Sequence, residues 1–81
     1  MNQINEIKIL KLRLETIKFL INLKKRWKSY CFTEFRILRC INKCNDIMNN
    51  NYNGDINKVI IYCRYMIDVA YSTKRFNLYR E

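Results

Sequence analysis

The sequence predicts an all-α fold: a small antiparallel three-helix bundle with a long, partly protruding first helix and a basic C-terminal tail. Three observations lead there. Apolar residues recur at three- and four-residue spacing in three separate stretches, the signature of a helix with one buried face. There is no Pro and only one Gly, so the backbone has few places to break. Apolar residues make up 49% of the chain, too many for a disordered segment of its charge, so a packed core is expected. The 81 residues form one domain, 1–81. A chain this short hides only about 60–65% of its unfolded surface, so its core is marginal and needs close helix packing or a partner.

The first helix is expected over about 4–29. Ile7, Leu10, Leu14, Ile17 and Ile21 share one side, while Leu12, Phe19, Leu23 and Trp27 share roughly the opposite side. Two apolar stripes on one helix imply packing from two directions, by its own bundle and by a partner. The stretch Leu10–Leu14 alternates as a strand could, but helix is preferred: no turn residue occurs between Ile4 and Lys28, and Leu, Lys, Arg and Glu are good helix formers. At ~1.5 Å per residue such a helix is ~35–40 Å long and should protrude beyond its neighbours.

The second helix is expected over about 34–48, with Thr33 as N-cap. Its stripe is Ile37, Cys40, Ile41, Cys44, Ile47 and Met48, opposed by Arg36, Arg39, Lys43 and Asp46. Residues 49–55, Asn-Asn-Asn-Tyr-Asn-Gly-Asp, form the one clear turn, because Asn and Gly tolerate left-handed backbone. Asp55 then caps a third helix over about 56–72, with Ile56, Val59, Ile60, Cys63, Ile67 and Ala70 on its core face. A basic tail, 73–81, follows. Short connections favour antiparallel neighbours.

Charge is the strongest chemical signal. Lys plus Arg is 16 and Asp plus Glu is 7, a net +9 with no His. The predicted topology gathers residues 24–39 and 74–81 at one pole, where nine basic and two acidic residues give +7; the other 57 residues carry only +2. Clustered cations of this kind form a polyanion-binding surface. The candidate RNA-binding residues are Lys24, Lys25, Arg26, Trp27, Lys28, Tyr30, Arg36, Arg39, Lys74, Arg75, Tyr79 and Arg80. The cations neutralise phosphates, and the rings, Phe32 and Phe76 among them, stack on unpaired bases. The competing reading turns those aromatics into the core, where Trp27 would close the bundle. RNA is favoured over DNA because no helix pair has helix-turn-helix spacing.

Other features restrict the function class. The absence of His and the presence of only two Ser, Ser29 and Ser72, argue against catalysis, and no catalytic residue, cofactor or metal is assigned. Cys31, Cys40, Cys44 and Cys63 are read as reduced thiols in a core; a four-thiolate zinc site and a disulfide are the alternatives. Met48 and Met66 are read as core fillers. No unbroken apolar run approaches the length of a bilayer-spanning helix, so no membrane span is expected. MNQINEIK has none of the features of a secretory signal. Ile, Asn, Lys, Tyr and Phe supply 42 of the 81 residues, a composition favoured by AT-rich codons, so the Asn-rich patches carry little functional weight.

Leu78-Tyr79-Arg80 spells the tripeptide of the LYR-motif proteins, small basic three-helix adaptors of mitochondrial iron–sulfur and respiratory assemblies. Lys25-Arg26-Trp27, Tyr30, Phe35-Arg36 and Arg39 resemble that family's basic-aromatic passage into its second helix. In the family the tripeptide lies on the first helix; aligned by the passage, it would fall on Thr16-Ile17-Lys18 here. The resemblance implies a mitochondrial adaptor that grips a protein or acyl-carrier partner. The leading expectation from the residues themselves is a non-catalytic structural protein of a large ribonucleoprotein. On this reading it is a small ribosomal or ribosome-associated cytoplasmic subunit that contacts rRNA and neighbouring proteins. A small viral protein binding a host factor is a third reading, and a membrane-surface helix a fourth.

Overall fold

In a computed structural model, which describes the backbone of residues 2–23 and 31–72 and the side chains of 2–23 and 34–72, the chain forms three helices. These are α1 (Gln3–Leu23), α2 (Cys31–Met48) and α3 (Ile56–Ser72), and each packs against both others. No strand occurs among the described residues, so Leu10–Leu14 is helical.

Apolar periodicity sets the packing. Ile7, Leu10, Leu14, Ile17 and Ile21 of α1 follow a 3-4-3-4 spacing, and all are buried. They meet Ile37, Cys40, Ile41, Cys44 and Ile47 from α2 and Val59, Ile60, Cys63, Met66, Ile67 and Ala70 from α3. A 3-4 alternation averages 3.5 residues, so the apolar seam stays aimed at neighbouring helices along their length. No polar or charged side chain is buried among the described residues. Met66 is a core residue as expected, and Met48 is half-buried against the core. Ile56, placed on the core face by its spacing, is also only half-buried, because it occupies the first residue of α3.

The helix ends are defined by polar groups. Asn2 caps α1, its Oδ1 accepting from the Ile4 backbone N–H at 2.8 Å. Asp55 caps α3 in the same way, accepting from the Asn57 N–H at 2.9 Å, as its position before an apolar run predicts. Thr33 does not cap α2: the helix already begins at Cys31, which puts Thr33 inside its first turn. The α2 C-terminus closes in a Schellman motif, in which the Asn51 N–H donates to the Asp46 carbonyl at 2.8 Å and the Asn50 N–H to that of Ile47 at 3.2 Å. Asn50 takes the left-handed conformation this motif requires (φ 60°), a role sequence logic shared between Asn and Gly. Gly54 serves differently. A Cβ there would run into the ring hydroxyl of Tyr52, which folds over the turn onto the core.

Cross-helix contacts establish the topology. Gln3 Nε2 donates to Asn57 Oδ1 at 2.7 Å, and Glu6 pairs with Arg64, so α1 and α3 run parallel from the same end. Glu15 and Asn22 of α1 share a groove with Leu38 and Ile41 of α2, and the tight 49–55 turn folds α3 back on α2. The bundle is up–down–up. The expected continuation of the first helix from 24 to 29, and with it any protrusion, lies outside the described residues, as does the tail at 73–81.

The second stripe of α1 is exposed. Leu12, Phe19 and Leu23 are 64%, 61% and 60% accessible, opposite the core, and Trp27 lies outside the described residues. The two faces of α1 therefore respond differently to truncation. Leu14→Ala, which hollows the core, should lower unfolding free energy by about 2–5 kcal/mol in urea titrations. Leu12→Ala should change it by no more than about 0.5 kcal/mol.

Candidate nucleic-acid interface

The three-helix topology brings the last residue of α1 (Leu23), the first of α2 (Cys31) and the last of α3 (Ser72) to one end, opposite the Asn-rich turn. The segments joined at those residues, 24–30 and 73–81, contain seven basic residues and one acidic, so +6 of the net +9 is carried by them. Ten of the twelve candidate residues fall there: Lys24, Lys25, Arg26, Trp27, Lys28, Tyr30, Lys74, Arg75, Tyr79 and Arg80 all lie outside the described residues.

The remaining two, Arg36 and Arg39, sit one turn apart on the first half of α2. Arg39 is exposed and Arg36 is half-buried. Exposed Phe35 and Leu38 lie beside them, so cations and apolar groups alternate on this part of the helix. Glu34 is the acidic residue of the same first turn. Of the residues that resemble the LYR-motif passage, Phe35, Arg36 and Arg39 are in the described structure, with Phe35 facing outward.

Two surface grooves were not foreseen. One, of about 400 Å³, lies between α1 and α3, with the Glu6–Arg64 pair, Arg13 and Asp68 on its walls. The second, of about 300 Å³, lies between α1 and α2 and is lined by Lys18, Phe19 and Leu38 among others. Glu6 and Arg64 are 58 positions apart, and only the relative register of two helices brings them together. On the outer face of α3, Ile61, Tyr62 and Tyr65 are exposed, and the two rings stand 6.4 Å apart at 34°. Their three- and four-residue spacing was a legible signal of a shared face.

The cysteines are placed as the core reading expects. Cys40, Cys44 and Cys63 are free, buried thiols, with Cys44 Sγ 3.8 Å from Cys63 Sγ across the α2–α3 interface. Hydrogen bonds shared with Cys40 and Cys44, and then burial, push the Cys63 thiol well above its ordinary range, and the same bonds draw the Cys40 and Cys44 thiols below theirs. Among the described residues, no group of three or more His, Cys, Asp or Glu is arranged to hold a metal ion. The Cys31 side chain lies outside the described residues. No described helix is long and apolar enough to cross a membrane.

No protein-family model, curated protein or solved structure matches the chain.

Proposed function

We propose that this chain is a non-catalytic structural component of a large ribonucleoprotein, which binds RNA phosphates through one basic pole. A ribosomal or ribosome-associated cytoplasmic subunit is the specific form of this reading. The observation that carries it is topological. Leu23, Cys31 and Ser72 share one end of the bundle, and the segments joined there hold two-thirds of the net charge.

Concentrated cations repel one another, and this repulsion destabilises an isolated chain with a marginal core. A polyanion relieves it. Each phosphate neutralised by Lys or Arg also releases condensed counterions, which gives affinity with little dependence on sequence. Trp27, Tyr30 and Tyr79, interleaved with the cations, supply ring faces for unpaired bases. The bundle acts as a rigid holder for these groups, and neighbouring proteins in the particle cover its outward apolar residues. A protein-binding adaptor is the second reading, supported by the uncovered apolar face of α1.

The test is binding of the full chain to an isolated rRNA fragment. Replacing Lys24, Lys25, Arg26 and Lys28 together with Ala should weaken binding at least tenfold without altering helical circular dichroism. For the wild type, raising salt from about 50 to 200 mM should lower affinity by roughly 10³–10⁵ if ~6–10 phosphates are contacted. Binding indifferent both to salt and to the four substitutions would overturn the RNA reading and favour the adaptor.

A further inference from the structure

The exposed face of α1 has an order that scattered surface residues lack. Ile9, Leu12, Thr16, Phe19 and Leu23 are all exposed, and their spacing is 3-4-3-4, the same alternation that defines the buried seam on the other side of the helix. Four of the five are large and apolar, and Ile9 is 52% accessible. Single exposed apolar residues are ordinary on protein surfaces; a continuous row along 15 residues of one helix is not. α1 thus carries two seams of the same period on nearly opposite faces, and its own bundle uses one.

The period says what shape of partner fits. A 3.5-residue repeat keeps a narrow strip of one helix in contact with another helix along its whole length. A lipid surface selects instead for a broad apolar face, and this strip is narrow, with the hydroxyl of Thr16 at its centre.

Charge says what kind of helix. Both carboxylates of α1 are engaged: Glu6 pairs with Arg64, and Glu15 lies 3.9 Å from Lys11. Lys8 and Arg13, one on each side of the strip, form no ion pair among the described residues. Beyond Leu23 the sequence continues into Lys24-Lys25-Arg26. A second copy of this chain would set +9 against +9. An acidic helix meets no such repulsion and supplies carboxylates to the unpaired cations.

We propose that the outer face of α1, formed by Ile9, Leu12, Thr16, Phe19 and Leu23, docks an acidic amphipathic α-helix of a partner protein in coiled-coil fashion. The apolar strip supplies the contact, and Lys8 and Arg13 select the partner's charge. This docking uses a surface apart from the basic pole, so it holds or fails whether or not the pole binds RNA.

The probe is a labelled 21-residue peptide with Leu at the two core positions of each heptad and Glu at the flanking ones. Its affinity for the full chain is read by fluorescence anisotropy. Three comparison peptides accompany it: one with Lys for Glu, one with Gln for Leu, and one of scrambled order. The acidic Leu peptide should bind, and the other three should bind at least tenfold more weakly. Leu12→Gln combined with Phe19→Gln should lower its affinity at least tenfold, while Ile61→Gln, on the outer face of α3, should leave it unchanged. Thr16→Leu completes the apolar row and should tighten binding several-fold, a gain that misfolding cannot produce.

Other outcomes overturn the proposal. Equal binding of the Gln-for-Leu peptide would reduce the interaction to charge alone. Self-association in sedimentation, abolished by the Leu12/Phe19 double substitution, would make a second copy the occupant. Binding to phosphatidylserine-containing vesicles, lost with the same two substitutions, would make it a lipid surface.

Discussion

The structure depends on the burial of one row of branched aliphatic side chains, Ile7, Leu10, Leu14, Ile17 and Ile21, between two other helices. None of them is more than 3% accessible. Full burial of a side chain of this size is worth about 1.5–3 kcal/mol, whereas an exposed ion pair such as Lys11–Glu15 contributes between 0 and roughly 1 kcal/mol. The row therefore outweighs everything on the surface of α1. Because hydrophobic burial is non-directional, it does not by itself select which end of each helix goes where. Directional groups do that work: the Asn2 and Asp55 caps, the Schellman closure at Asn50 and Asn51, and the short turn that reverses the chain.

An entirely apolar core has consequences for what the chain can do chemically. With no buried carboxylate, amide or hydroxyl among the described residues, nothing in the interior is poised for acid–base work. The thiols of Cys40, Cys44 and Cys63 are enclosed at the α2–α3 seam, where they act as small apolar groups that bond weakly to one another. The surface has distinct regions: the end where α1, α2 and α3 converge on cation-rich segments of the sequence, the outward row on α1, and an aromatic face on α3.

The division of labour on α1 bears on stability as well. A helix apolar on two faces gains from its own bundle only what one face buries. The other face leaves four large side chains in water, and in a chain of 81 residues that is a sizeable share of the apolar surface available for burial. Covering it by a partner would add stability by mass action, since a ligand that binds only the folded state shifts the equilibrium toward it.

Helix number, approximate bounds, the core face of each helix and the 49–55 turn were legible in the sequence, because each follows from spacing or from one residue's local preference. Ile37, Cys40, Ile41, Cys44 and Ile47 can face inward together only on a helix, and Asp55 meets free N–H groups wherever a helix follows it. Thr33 shows where local logic fails: it is a competent cap, yet α2 begins at Cys31. The charge and aromatic content of the candidate RNA-binding segments is a property of the sequence, and ten of those twelve residues lie outside the described structure. Tertiary structure alone decided three matters: which of the two stripes on α1 is buried, the meeting of Glu6 with Arg64 across 58 positions, and the approach of Cys44 to Cys63. Periodicity specifies a face but not its occupant. Two stripes of equal spacing compete for one core, and the winner depends on how three helices fill a common volume, which no single segment of the chain encodes.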